Sequence, residues 1–98
     1  MATVYRTFPL DTKNLDRDID AGKIGPEDIG RGVGTSIDRL LRGNLEAAKG
    51  APTTRGYPSE ILVGGKNDEE VKRGFQEAIK GTGVGDYLSE QGGKTYTR

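Results

Sequence analysis

Residues 26–49 read PEDIGRGVGTSIDRLLRGNLEAAK, and how far that stretch stays helical decides the fold. Pro26 suits a first helical position, where a missing N–H costs nothing, and Glu27-Asp28 place negative charge on the exposed N–H dipoles of a first turn. From there Ile29, Val33, Ile37, Leu40, Leu41, Leu45 and Ala48 recur at spacings of 4, 4, 3, 1, 4 and 3, the stripe of one helix face. Lys49-Gly50 followed by Pro52 makes a conventional stop. The spacing therefore predicts a helix over 26–49. Glycine opposes it: Gly30, Gly32, Gly34 and Gly43 each cost roughly 1 kcal/mol relative to alanine in a helix interior. Thr35 with Asp38 three residues later forms a second cap signal. The helix either runs unbroken from Pro26 or restarts at Thr35.

Downstream, residues 50–60 are loop by composition, and Ile61-Leu62-Val63 reads as a short buried strand closed by Gly64-Gly65. Asn67, with Glu70 three residues on, caps a second helix over 68–80. Its stripe is Val71, Phe75, Ala78 and Ile79, and Gly81 ends it. Upstream, Thr3 to Leu10 alternates loosely, with Val4, Arg6 and Phe8 on one side and Tyr5 and Thr7 on the other, until Pro9 stops the pattern. That is a short edge strand or an extended arm. Asp11 to Gly25 is polar and turn-rich, with Leu15 and Ile19 spaced for one helical turn. The tail holds one apolar cluster, Val84, Tyr87 and Leu88, and then turns polar. The chain reads as mainly α, with a small α+β arrangement as the alternative. It has two principal helices at about 26–49 and 68–80, a short strand near 61–63, and extended polar termini. Residues 1–98 form one small domain, with 1–10 and 86–98 as extended or mobile arms.

Composition narrows the function. Apolar residues make up 32% of the chain and glycine 16 of its 98 residues, so the core is thin and partners or further copies would add order. Fifteen basic side chains balance fifteen acidic ones. No overall positive field exists to gather nucleic acid or an anionic membrane. Cysteine and histidine are both absent, which removes disulfides, thiol nucleophiles, Cys/His zinc sites and histidine-based triads. The longest apolar run is Ile61-Leu62-Val63, too short for a membrane span, and the N-terminus lacks a signal-peptide layout.

Two glycine motifs, Gly30-Arg-Gly-Val-Gly34 and Gly81-Thr-Gly-Val-Gly85, invite a phosphate-binding reading. The spacing from Gly25 to Gly30 matches a P-loop, but Arg31 and Gly32 stand where Lys and Ser/Thr would meet phosphate and magnesium. No substantial strand precedes either copy, as a dinucleotide turn requires. Gly30 and Gly34 are better read as a shallow groove beside the apolar stripe, where another backbone comes close. In the acidic segment Asp16–Asp28, Asp16, Asp18 and Asp20 have the spacing of three convergent carboxylates. Ala21 is one residue too many for the loop. With Ala21 treated as an insertion, the segment resembles an EF-hand or dockerin-type calcium loop. That resemblance implies Asp16, Asp18, Asp20 and Asp28 as ligands, with the Lys23 carbonyl.

The remaining residues offer no reactive ensemble: the serines lack a histidine, and the paired carboxylates lie among charge and water. The expectation is a non-enzymatic accessory or assembly protein without cofactor. It docks on a larger complex, such as a virion-like or other multi-subunit particle, in the cytoplasm or in a particle assembled there. Its partner is a protein or further copies of itself, not a membrane and not nucleic acid. The interface residues are Gly30, Val33, Gly34, Ile37, Leu41, Phe75 and Tyr87. Two alternatives stand beside it: a calcium-binding module on Asp16–Asp28, and a small inhibitor or regulator of an enzyme.

Overall fold

The apolar stripe that begins at Ile29 ceases to be helical at Arg42, not at Lys49. The computed structural model describes residues 3–90 and 92–98. In chain order its elements are β1 (Val4–Pro9), α1 (Thr12–Asp20), α2 (Pro26–Arg42), β2 (Glu46–Lys49), β3 (Glu60–Gly65), α3 (Asp68–Ala78), a 3₁₀ turn (Val84–Tyr87) and β4 (Thr95–Thr97). The strands form one antiparallel sheet in the order β2-β3-β1-β4. This is the split-βαβ arrangement of ferredoxin-like folds, with two helices in its first crossover. The mainly α expectation is thereby corrected to α+β.

The turn that follows α2 accounts for the correction. After α2, Asn44 takes a left-handed conformation at φ 64°. The Asn44 N–H donates to the Leu41 carbonyl at 3.1 Å, and the Leu45 N–H donates to the Leu40 carbonyl at 3.0 Å. These are the two hydrogen bonds of a Schellman stop, with Asn in the position usually held by glycine. The turn sends Leu45 back over Gly74 beside Leu40, so Leu45 keeps an apolar contact without remaining helical. Residues 46–49 then pair with β3 as an edge strand, Ala47 opposite Val63.

Residues 3–10 are not a free arm; residues 1 and 2 of the expected arm lie outside the described residues. β1 is an interior strand, paired with β3 on one side and β4 on the other. Its Phe8 ring stacks on Phe75 of α3, with centroids 3.8 Å apart and planes 7° from parallel. Arg6, on the same side, donates to Asp68 at the start of α3 at 3.3 Å. The tail is likewise tied down: Val84 is fully buried, Leu88 bridges Leu10, and Thr95–Thr97 lies against β1. α1 extends well past the single turn expected around Leu15 and Ile19. Asp11 caps it by accepting the Asn14 N–H at 3.1 Å, and Leu15 is fully buried beneath it.

α2 and α3 lie side by side on one face of the sheet. Ile61 and Val63 of β3 are buried against them with Val33, Leu40, Val71 and Phe75. Asn67 caps α3 as its sequence implies, accepting the Glu70 N–H at 2.8 Å, while the Glu70 carboxylate accepts the Lys66 N–H. Arg39 of α2 donates to the Ala78 and Lys80 carbonyls, so the C-terminal end of α3 is closed by a cation from its neighbour. No helix among the described residues is long and apolar enough to cross a membrane.

The two glycine motifs meet each other. A Cβ on Gly32 would lie 2.7 Å from the Thr82 carbonyl oxygen and 3.1 Å from Val84 Cγ2. Gly32 is therefore the position where the Gly81–Gly85 segment rests on α2. Gly30 and Gly34 face open space. Gly32→Ala is expected to destabilise the fold by about 1–3 kcal/mol, since a backbone carbonyl must move. Gly34→Ala should instead stabilise it by about 0.5–1 kcal/mol through helix propensity. Urea unfolding of the two variants checks the opposite signs.

Candidate functional site: the uncovered face of the sheet

Strand side chains alternate, so the face turned away from α2 and α3 carries the residues that alternate with Ile61 and Val63. These are Leu62 and Gly64 on β3, Tyr5 and Thr7 on β1, Glu46 and Ala48 on β2, and Tyr96 on β4. Register places Glu46, Gly64, Tyr5 and Tyr96 in one row across the sheet. The Tyr5 ring lies across β3: a Cβ on Gly64 would be 2.7 Å from Tyr5 Cε1, so only glycine permits this orientation. The Tyr5 hydroxyl reaches the edge strand and donates to Glu46 Oε2 at 2.5 Å. On its other side Tyr5 stacks with Tyr96, centroids 5.6 Å apart and planes at 21°. Tyr96 is 44% exposed.

The hydrogen bond to Glu46 holds the Tyr5 phenol above its ordinary pKa, so it retains its proton and is no base near neutrality. Two shallow depressions flank the ring. One, about 170 Å³, is lined by Glu46, Ala48, Leu62 and Gly64; the other, about 230 Å³, by Leu62, Tyr96 and Arg98. Both fall below the roughly 300–1,000 Å³ typical of pockets that enclose a small molecule.

The residues expected to form an interface are divided by the fold. Val33 and Phe75 are core, and Ile37 packs half-buried against it. Tyr87 is half-buried, with its hydroxyl donating to Asp18 Oδ2 at 2.7 Å. Gly30, Gly34 and Leu41 lie on the outer side of α2, where Leu41 is 51% exposed. The sheet face itself was hidden from sequence reasoning. Alternation in residues 3–10 does set Tyr5 and Thr7 apart from Val4, Arg6 and Phe8, but an arm has no second face. Tyr96 stands in a polar tail with no periodic signal.

The acidic segment folds differently from a calcium loop. Asp16 and Asp20 sit four apart on α1, on one side of the helix, and both pair with Arg55, at 3.4 and 2.6 Å. Asp18 is turned away toward Tyr87 and Arg17. Asp28 belongs to the start of α2, where it accepts the Gly25 N–H at 2.9 Å and pairs with Arg31. Among the described residues no group of three or more acidic side chains gathers to hold a cation. What the segment does build is a clamp. Tyr57, buried under the 50–60 loop, donates to Asp16 Oδ1 at 2.8 Å, and Arg55 from the same loop grips Asp20.

Comparison with protein-family models, with curated proteins and with solved structures finds no match for this chain.

The clamp makes stability depend on pH at both ends. Arg55 holds the Asp20 carboxyl below its ordinary value, and the Tyr87 hydroxyl does the same for Asp18. Depressed carboxyls contribute stability above the unfolded value near 3.8, and lose it as pH falls through their folded values. Burial, followed by the hydrogen bond to Asp16, pushes the Tyr57 phenol up to about 12. A raised phenol contributes stability below the unfolded value of 10.0 and loses it as pH rises toward its folded value. Thermal unfolding should therefore be flat around neutrality and fall at both extremes. Tyr57→Phe should remove part of the alkaline slope, and Arg55→Met part of the acid slope; melting curves across pH check both.

Proposed function

We propose that this chain is a non-enzymatic assembly or accessory protein. It docks on another protein through the open sheet face carrying Tyr5, Leu62 and Tyr96, and acts in the cytoplasm or in a particle assembled there. One observation carries the reading: among the described residues the helices cover one side of the four-stranded sheet, and the other side carries a stacked tyrosine pair in which Tyr5 is half-buried and Tyr96 exposed. Tyrosine is enriched in the anchors of protein interfaces because it offers a large rigid surface with a polar tip. Aromatic rings on an open sheet also suit stacked bases. Here, however, the Glu46 carboxylate lies in hydrogen-bond contact with Tyr5, a negative charge beside the ring on which a base would stack. The balanced charge of the chain adds no attraction for a polyanion. Those two facts favour a protein surface.

A tagged chain cross-linked in its native cell should migrate in an assembly larger than its own 10.5 kDa. Tyr96→Asp or Leu62→Asp should release it as a smaller species at a temperature where circular dichroism shows the fold intact, while Gln76→Asp on the exposed side of α3 leaves the assembly intact. Migration of the unaltered chain at monomer mass after cross-linking in the intact cell would defeat the proposal.

A further inference from the structure

Taking the docking reading as its basis, we infer that the partner on this face is a second copy of the chain, packed face to face about a two-fold axis parallel to the strands. The sheet order and the charge placement support this geometry together. A two-fold axis along the strands reverses the order β2-β3-β1-β4, so the β2 edge of each copy lies over the β4 edge of the other. The row Glu46–Gly64–Tyr5–Tyr96 then faces the same row running backwards. Each Glu46 meets the β4 edge of the other copy, which carries Tyr96 and, one row along, Arg98. The Thr3–Arg98 backbone pair continues the ladder and keeps Arg98 on the same face as Tyr96. Acid meets base at both ends of the contact, and the symmetry makes every such pairing occur twice.

Shape follows the same symmetry. The depression bounded by Glu46, Ala48, Leu62 and Gly64 lies at the β2 edge, and the half-exposed Tyr96 ring projects at the β4 edge. Turning one copy over places ring above depression. Sheets packed face to face stand about 10 Å apart with their strands within roughly 30° of each other, which lets one layer of side chains from each copy interdigitate. A chain of zero net charge meets no long-range repulsion from its own copy.

The area sets the strength. Four strands at about 4.8 Å spacing make a face about 19 Å wide. With strands of this length its footprint is a few hundred Å², well under the ~800 Å² per partner of a standard stable interface. The dimer is accordingly weak and concentration-dependent, forming between micromolar and millimolar chain.

Sedimentation equilibrium of the purified full chain over that range tests it. The weight-average mass should climb from 10.5 kDa toward twice that value. Glu46→Arg and Arg98→Glu should each weaken dimerisation at least tenfold, and the double reversal should restore it. Tyr96→Asp should abolish it, and Leu41→Asp on the outer side of α2 should leave it unchanged. Circular dichroism melting of each variant separates lost association from lost fold. A mass constant at the monomer value up to millimolar overturns the second copy, as does a dimer sensitive to Leu41→Asp but not to Tyr96→Asp. A monomer that still joins a larger native assembly through Tyr96 overturns the second copy while the docking reading stands. A monomer that binds a labelled single-stranded oligonucleotide through Tyr96 overturns both.

Discussion

A single left-handed residue sets the architecture. Because Asn44 adopts a positive φ after Gly43, the chain reverses within three residues, and Leu40 and Leu45 finish on the same side of the turn against Gly74. Without that reversal the apolar spacing of Leu45 and Ala48 would extend α2, and β3 would have no partner on its outer side. With it, Glu46–Lys49 becomes the fourth strand, and the sheet is wide enough to present a face. The hydrogen bonds of the stop are local, but their consequence is the class of the fold.

Glycine serves three separate ends in this protein, and only contact with the rest of the chain distinguishes them. Gly32 admits the Thr82 carbonyl to the surface of α2, and Gly64 admits the Tyr5 ring to the surface of β3. Gly81 and Gly83, both at positive φ, turn the chain after α3 so that Val84 can enter the core. Gly30 and Gly34 do none of these things: their side of α2 is open. The recurring Gly-x-Gly-Val-Gly pattern is thus one contact seen from its two partners, with Gly32 from the first copy and the Thr82–Val84 segment from the second.

The acidic segment shows how secondary structure redirects side chains. Asp16, Asp18 and Asp20 alternate in sequence, which on a loop would let them converge. On a helix two-residue steps are about 200° apart, so Asp18 leaves the side shared by Asp16 and Asp20. The first and third carboxylates hold the 50–60 loop through Tyr57 and Arg55, and the second holds Tyr87. The carboxylates join α1 to the rest of the molecule at two separate places.

From its residues alone this chain determined α3, whose Asn67 cap, apolar stripe and Gly81 stop agree on one local answer. It also determined the start of α2 at Pro26 and a strand through Ile61-Leu62-Val63, of which Ile61 and Val63 are buried and Leu62 lies on the open face. Those signals are local: a cap, a proline ring or a three-residue run needs no distant partner to act. Tertiary structure alone decided where α2 ends in space, that β1 is interior, and that Tyr5, Leu62 and Tyr96 share an open face. Strand pairing joins residues far apart in the sequence, such as Tyr5 with Gly64 and with Tyr96, and no periodicity within one segment encodes its neighbour across the sheet. A side chain belongs to the core or to the surface only once the element that covers it has arrived.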